Sequence, residues 1–469
     1  MISPDALSNI MILLACLLTL SALLFEKSSF LGAWKPLTLL FFCFTASLAA
    51  LAESWFGFVI WMELSSLALA LLVASKDGPV ARMYLYSQLT GGALLLLGGA
   101  LISTPGAPAP LGPVPQAWYP LFLFALGFKA AFPGLHFWLP PTHSRAPSEV
   151  SLLLSGYAVK MGIYGLLRLV DGPSPGLLWI GVAMALYGGL QALMQRDFKR
   201  VLAYSTMSQL GFMVAALASG TSLGRDTALF YLVMHALFKG LLFLTAGSVE
   251  KLTGTRDLSL LGGLASGAPL LLLFFLVGGT SLGGLPGTGG YVAKGMLKIA
   301  LKGHPGALWS LQLAGVFTAL YLCKVGYYAF FRSAPEAAEA HRKLQGRRGD
   351  LPLSGVSALG ILGIPLLFLG FFPEKLPFFA GTLPHLWSGG SLISALLPLG
   401  VGGMLFGLFP TLFRPEGYSL PDAENLFPPA GTLLKPTLSL LRNIHSGQLR
   451  KLLHFYFLAL LGILTILSL

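Results

Sequence analysis

The sequence predicts an all-α polytopic membrane protein of about fourteen transmembrane helices, ten of them in two inverted five-helix repeats that each contain one broken helix. Three observations lead there. Of 469 residues, 55% are hydrophobic and only 10% charged, against roughly 25% charged in a globular protein. Apolar stretches able to cross a bilayer, which takes about 20 residues of helix, recur from end to end with no separate soluble domain. Two of these stretches, finally, share a motif.

The expected spans are 7–25, 36–52, 54–75, 83–103, 118–133, 148–169, 177–195, 200–219, 228–249, 258–278 continuing brokenly through 290–302, 307–331, 353–372, 391–412 and 451–468. The first has the length of a signal peptide. It carries no basic residues before it and no small-residue cleavage site after Phe25, so it is read as a retained span. Counted in order, the odd turns hold most of the basic residues: Lys27 and Lys35; Lys76 and Arg82; Arg145; Arg196, Lys199 and Arg200; Lys251 and Arg256; Arg342, Lys343, Arg347 and Arg348; Arg442, Arg450 and Lys451. The even turns hold only Arg168, Arg225, Lys298, Lys302 and Lys375. The positive-inside rule then makes the odd turns cytoplasmic and puts both termini on the outer side of a prokaryotic plasma (inner) membrane. The excess of 30 Lys and Arg over 18 Asp and Glu is topological charge of this kind. It is not clustered with exposed aromatics, and no nucleic-acid partner is expected.

The shared motif sets the organisation. "YAVKMGIYGLLR" at 157–168 and "YLCKVGYYAFFR" at 321–332 match Tyr157 to Tyr321, Lys160 to Lys324, Gly162 to Gly326, Tyr164 to Tyr328 and Arg168 to Arg332. The two helices lie five crossings apart, and an odd spacing inverts the second copy across the membrane. Each copy also has an interrupted helix, at Pro133-Gly134 and across "GGLPGTGG" with Pro286. Backbone groups freed at such breaks need protein or water partners, so breaks face inward. The expected division is an N-terminal span at 1–32, a first repeat at 33–170, a second at 177–332, and C-terminal spans and loops at 333–469.

Charges inside the spans point to function. Glu63, Lys129, Lys160, His235, Lys239 and Lys294 all fall within apolar runs. A charge at the bilayer centre costs at least ~2.5–3.5 kcal/mol on insertion scales, and such residues mark ion or proton routes. His235 and Lys239, four apart, share one helix face. A lysine's proton affinity falls on burial and rises beside a carboxylate, so a lysine with a movable Glu partner can bind and release a proton; histidine titrates near neutrality and suits a relay. Structural readings compete. Lys298 and Lys302 read as snorkelling or loop residues, Lys324 equally as a packing remnant of the repeat, and Glu63 with Lys129 as a structural buried pair. Lys324 and His143 are secondary candidates for the relay. The cysteines Cys16, Cys43 and Cys323 are far apart and imply neither metal nor disulfide. There is no dinucleotide fingerprint, CxxC or nucleophile triad, and "GGLPGTGGY" lies in a helix break, so no cofactor or metal is expected.

"FKAAFPGLHFWLPPTHSRAPSEVSLLLSGYAVKMGIYGLLR", "RDFKRVLAYSTMSQLGFM" and "HALFKGLLFLTAGSVEKLTGT" together resemble the antiporter-like family shared by respiratory complex I, Mrp cation/proton antiporters and membrane-bound hydrogenases. The resemblance runs from about residue 36 to 332, and more loosely to the terminal "IHSGQLRKLLHFYFLALLGILTILSL". It implies a proton-translocating subunit of a larger redox-driven or antiporter complex, with other membrane subunits as partners, protons or Na+ as the cargo, and no redox centre of its own. It implies that Glu63 and Lys129 form the family's glutamate–lysine pair, that Lys160 is the next relay lysine, that His235 and Lys239 are the second-repeat relay, and that Lys294 is the terminal lysine near the exit. The sequence departs from the family in three places. It starts two helices later than is common, its second break has one proline where two are usual, and "YSQLTGG" has Gln88 where hydrogenase-like members often have histidine. A stand-alone secondary solute transporter and a non-conducting membrane scaffold remain open alternatives.

Overall fold

The computed structural model describes residues 5–26, 34–333, 352–376 and 386–415. The expected span 451–468, the basic loop at 342–348 and the terminal motif lie outside the described residues. Within them, ten helices are long and apolar enough to cross a membrane, with three shorter apolar ones, and the only β contacts are isolated bridges.

The first repeat-sized segment follows α1 (Ala6–Glu26) and contains α2 (Trp34–Ala50), α3 (Trp55–Ala74), α4 (Gly78–Ile102), α5 (Tyr119–Lys129), α6 (Leu139–Arg145), α7 (Ser148–Leu153) and α8 (Val159–Leu169). The second contains α9 (Pro175–Met194), α10 (Phe198–Ala218), α11 (Ser222–Thr253), a one-turn α12 (Leu264–Gly267), α13 (Pro269–Gly283), α14 (Gly289–Ala300) and α15 (Pro305–Gly326). Two further helices, α16 (Leu353–Phe371) and α17 (Gly389–Leu408), complete the described chain. Starts are set by side-chain caps that accept the first free N–H groups: Ser54, Asp77, Asp197, Thr221 and Thr288. Gly254 ends α11 in the left-handed region, at φ 77°.

Two boundaries differ from the sequence expectation. The span expected from 258 starts at Pro269, because residues 258–263 are a loop: the Leu258 N–H donates to the Arg196 carbonyl, and Gly263 takes a left-handed φ of 68°. An apolar run cannot reveal that its backbone bonds go elsewhere. The first break opens before Pro133, since α5 already ends at Lys129 and Ala131 has φ 56°. The segment 148–169 is one crossing, as expected, and carries a π turn at Leu154–Ala158.

The helices sort by burial. α10 is buried at every residue but Arg200 and α11 along its whole apolar window. Outer helices instead expose Leu13, Leu37, Phe44, Trp309 and Ile393, as lipid-facing surfaces do. α11 has 32 residues and is therefore about 48 Å long, more than a bilayer's hydrocarbon thickness. α9 crosses α10 at backbone contact: a Cβ on Gly188 would lie 2.5 Å from the Ser208 nitrogen and one on Gly211 2.4 Å from the Gly181 carbonyl oxygen. Small residues permit this approach, which replaces hydrophobic drive with close packing in lipid.

The repeated motif has a matching local geometry. The Arg168 guanidinium lies 5.0 Å from the centre of the Tyr164 ring and Arg332 lies 5.4 Å from that of Tyr328. The π turns do not match, preceding Lys160 at 154–158 but following Lys324 at Tyr327–Phe331. Replacing Gly188 with Val should separate α9 from α10 and destabilise the protein by about 1–3 kcal/mol, the usual range for overpacking. A lowered melting temperature in detergent checks this.

Candidate functional site

The first half of the site is built at the α5 break. Lys129 is the last residue of α5, and its amine lies 2.5 Å from Glu63 Oε1 on α3. The opened turn is held by Trp138, whose indole N–H donates to the Phe128 carbonyl at 2.9 Å, while Ala131 occupies a backbone region that residues with a Cβ rarely adopt. Two neighbouring helices leave room for the pair. On α4, a Cβ on Gly92 would sit 2.2 Å from Glu63 Oε1 and one on Gly91 2.9 Å from the Ala125 carbonyl. On α8, a Cβ on Gly162 would sit 2.6 Å from the Ala130 nitrogen. The pair therefore occupies a slot lined by glycine backbone. Glu63 Oε2 has no hydrogen-bond partner among the described residues, so one oxygen is committed to Lys129 and the other is free to receive a second donor.

The next cluster joins α8 to α11. The π turn sends the Val159 N–H back five residues to the Leu154 carbonyl, and the Lys160 amine donates to the carbonyl of Ser155. The same amine lies 2.5 Å from His235 Nδ1 on α11, and His235 Nε2 has no partner among the described residues. One turn on, Lys239 donates to Ser205 Oγ at 2.5 Å and to the Leu202 carbonyl at 2.9 Å, both on α10. Lys160, His235 and Lys239 are all fully buried.

α10 and α11 extend this cluster as a ladder. Tyr231, His235 and Lys239 recur every four residues on α11, and Ser205, Gln209 and Phe212 lie along one face of α10. The Tyr231 hydroxyl donates to Gln209 Oε1 at 2.5 Å, and the Tyr231 and Phe212 rings stack at 6.1 Å. The Lys294 amine lies 5.4 Å from the centre of the Phe212 ring. It donates to the carbonyls of Leu282 and Gly283, at 2.9 and 2.8 Å, which the α13–α14 break frees. Gly284 and Gly287 make that break, with φ of 86° and 88°. The C-terminal end of a helix favours a cation, so the second break holds its lysine with backbone where the first uses a carboxylate.

The structure thus brings Glu63 to Lys129, Lys160 to His235 and Lys239, and Lys294 to the far end of the α10 face. Pro133 lies in the first break and Pro286 in the second. His143 is buried on α6, stacked 4.6 Å from the Phe243 ring, with neither ring nitrogen partnered among the described residues. Lys239, Lys199 and Lys160 act on it electrostatically, but it makes no hydrogen bond to the central cluster among the described residues. Lys324 stands apart: it donates to the Leu193 and Gln195 carbonyls at the end of α9, at 2.7 and 2.9 Å. Among the described residues, no group of three or more His, Cys, Asp or Glu side chains is placed to hold a metal.

The profile "NADH:quinone oxidoreductase/Mrp antiporter, TM" matches residues 115–320. The NADH-quinone oxidoreductase subunit N of Desulforudis audaxviator is 32% identical over 355 residues, covering 68% of this chain and 70% of that protein. The chain belongs to the NADH:quinone oxidoreductase/Mrp antiporter family. A solved Mrp complex from Dietzia sp. DQ12-45-1b contains a chain similar to this member of the family, with a TM-score of 0.69 and 25% identity over 88% of this chain and 85% of that one. The match to an uncharacterized protein of Mycobacterium tuberculosis is 37% identical, but this chain spans only 42% of that relative's length.

The sequence reading of this antiporter-family member missed Gly91 and Gly92, Ser205, Gln209 and Tyr231. Ser205, Gln209 and Phe212 are readable in "LAYSTMSQLGFM" as one helix face, and Tyr231 as the residue four before His235. The two glycines carry no such signal, since their role is to leave space for a residue on another helix. Gly92→Val should displace the Glu63 carboxylate from Lys129, whereas Gly99→Ala, whose added Cβ meets nothing closer than 3.6 Å, should not. A shift of the Glu63 carboxylate band in infrared spectra of the first variant alone checks this.

Proposed function

We propose that this chain moves protons across the membrane through its buried relay, as a subunit of a larger membrane complex of the redox-driven or Mrp type. Family membership supports the class of activity. The observation that carries the relay itself is the run of buried ionisable side chains on successive inner helices, centred on the contact between Lys160 and His235.

That contact allows a stepwise transfer. A protonated Lys160 amine donates to unprotonated Nδ1 of His235; the proton crosses to the ring as the proton on Nε2 leaves for the next acceptor, and the imidazole stays neutral overall. Lys239 lies one turn away to receive the charge, and Ser205, Gln209 and Tyr231 supply hydroxyl and amide groups towards Lys294. The Glu63–Lys129 pair acts as the gate. While closed, the carboxylate neutralises Lys129; when it opens, the uncovered ammonium, at the break against which α8 packs, repels the proton on Lys160 towards His235.

In this reading the segments 33–170 and 177–332 are inverted repeats, each contributing one broken helix. The odd turns face the cytoplasm of a prokaryotic cell and both termini lie outside. Partners supply the driving energy, since no redox group is expected in the chain, and Na+ is the alternative cargo. Lys129→Ala or Glu63→Gln should abolish ion pumping by the complex in proteoliposomes while leaving its assembly intact. Normal pumping in both variants would sink the relay and favour a scaffold.

A further inference from the structure

Lys294 opens on a cavity of about 210 Å³ between α14, α15 and α17. Its polar lining is Tyr291, Lys294 and Lys298 of α14, Gln312 of α15, and Ser391 and Ser394 of α17. Among the described residues, no acidic side chain and no histidine lines it. Lys298 lies four residues beyond Lys294 and so on the same helix face. Its amine donates to the Ser394 carbonyl at 2.7 Å and the Ser394 hydroxyl at 2.8 Å. Gln312 Nε2 donates to the same hydroxyl at 3.4 Å, so Lys298 is held by α17 and braced by α15.

Each ammonium has three N–H donors. Lys294 uses two on the Leu282 and Gly283 carbonyls and Lys298 uses two on Ser394, which leaves each with one donor for the cavity. Two like charges one turn apart on a helix repel, and no carboxylate in the cavity offsets them. The pair therefore favours one shared proton over two. Lys302, four residues further and just past the end of α14 at Ala300, is exposed, so three lysines spaced four apart run from the helix break to an exposed position.

We infer that Lys298 is the proton-release residue of this chain. A proton leaving Lys294 crosses the cavity to the neutral Lys298 amine; Lys294 becomes neutral and ready for the next proton, and Lys298 then gives its proton to water beside Lys302. The inference rests on the relay reading above and extends it by one residue that the relay does not include.

The test uses the chain purified with its native partners, reconstituted in proteoliposomes, with proton release read against assembly. Lys298→Ala and Lys298→Arg should both lose proton release while the complex assembles, because guanidinium keeps the charge and the Ser394 contacts but does not deprotonate in proteins. Lys298→His should restore release, displaced to lower pH, since imidazole is a weaker base than an alkyl amine. The groups facing this position from α15 and α17, Gln312, Ser391 and Ser394, do not titrate, and among the described residues the titratable groups that share the cavity are Lys294 and Tyr291 of α14. Wild-type release in the Lys298→Arg variant would reduce Lys298 to a structural clamp and overturn the inference while leaving the relay standing. A wild-type complex that moves no protons would overturn both.

Discussion

A lysine amine inside hydrocarbon carries three N–H donors and a charge that lipid cannot satisfy, and the fold is arranged around meeting that demand. Lys129 is met by a carboxylate, Lys294 by the two carbonyls freed where α13 breaks, Lys160 by a carbonyl beside a π turn, and Lys324 by the carbonyls at the end of α9. The second break and the π turn before Lys160 each have a lysine at an exposed carbonyl, while the first break holds its lysine through Glu63. Backbone breaks and buried lysines solve each other's problem: an unpaired carbonyl and an unpaired ammonium are both expensive in a dry interior, and together they cost much less.

The same demand explains why α10 and α11 are the innermost helices. A helix that faced lipid on one side would leave little room for side chains such as Lys239 or Gln209, whereas a helix covered on all sides can carry polar groups on any face. Glycines at 181, 188 and 211 bring α9 and α10 to backbone contact, and this close approach encloses α10 on that side. Packing and polar placement are one constraint here, because the small residues that tighten the helices also exclude lipid from the ladder formed by Ser205, Gln209, Tyr231 and Lys239.

The lysines of the proposed relay are held unequally. Lys129 is bound to a partner of opposite charge, while Lys294 and Lys298 are bound to neutral oxygens, with no acid lining their cavity among the described residues. In the proposed relay a proton would be retained at the first end by an ion pair and opposed at the other by like charge. Mobility in such a line depends on that contrast, and a set of identical sites would have no preferred way to empty.

How much of this was legible beforehand follows from the kind of information a sequence holds. Composition and the recurrence of apolar runs determine a polytopic helical protein, because length and hydropathy are local properties. Glu63, Lys129, Lys160, His235, Lys239 and Lys294 stand out for the same reason: a charge within an apolar run is visible one residue at a time. Where helices end was less legible. The loop at 258–263 and the early end of α5 at Lys129 depend on hydrogen bonds to distant backbone and on the left-handed turn at Ala131. Only the tertiary structure decides that Gly91 and Gly92 make the slot for Glu63 and Lys129, that His143 stacks on Phe243 while Lys324 stands apart, and that Lys298 shares a cavity with Lys294. These are distances between helices, and the pattern along one helix carries no record of which neighbour it will meet or how closely.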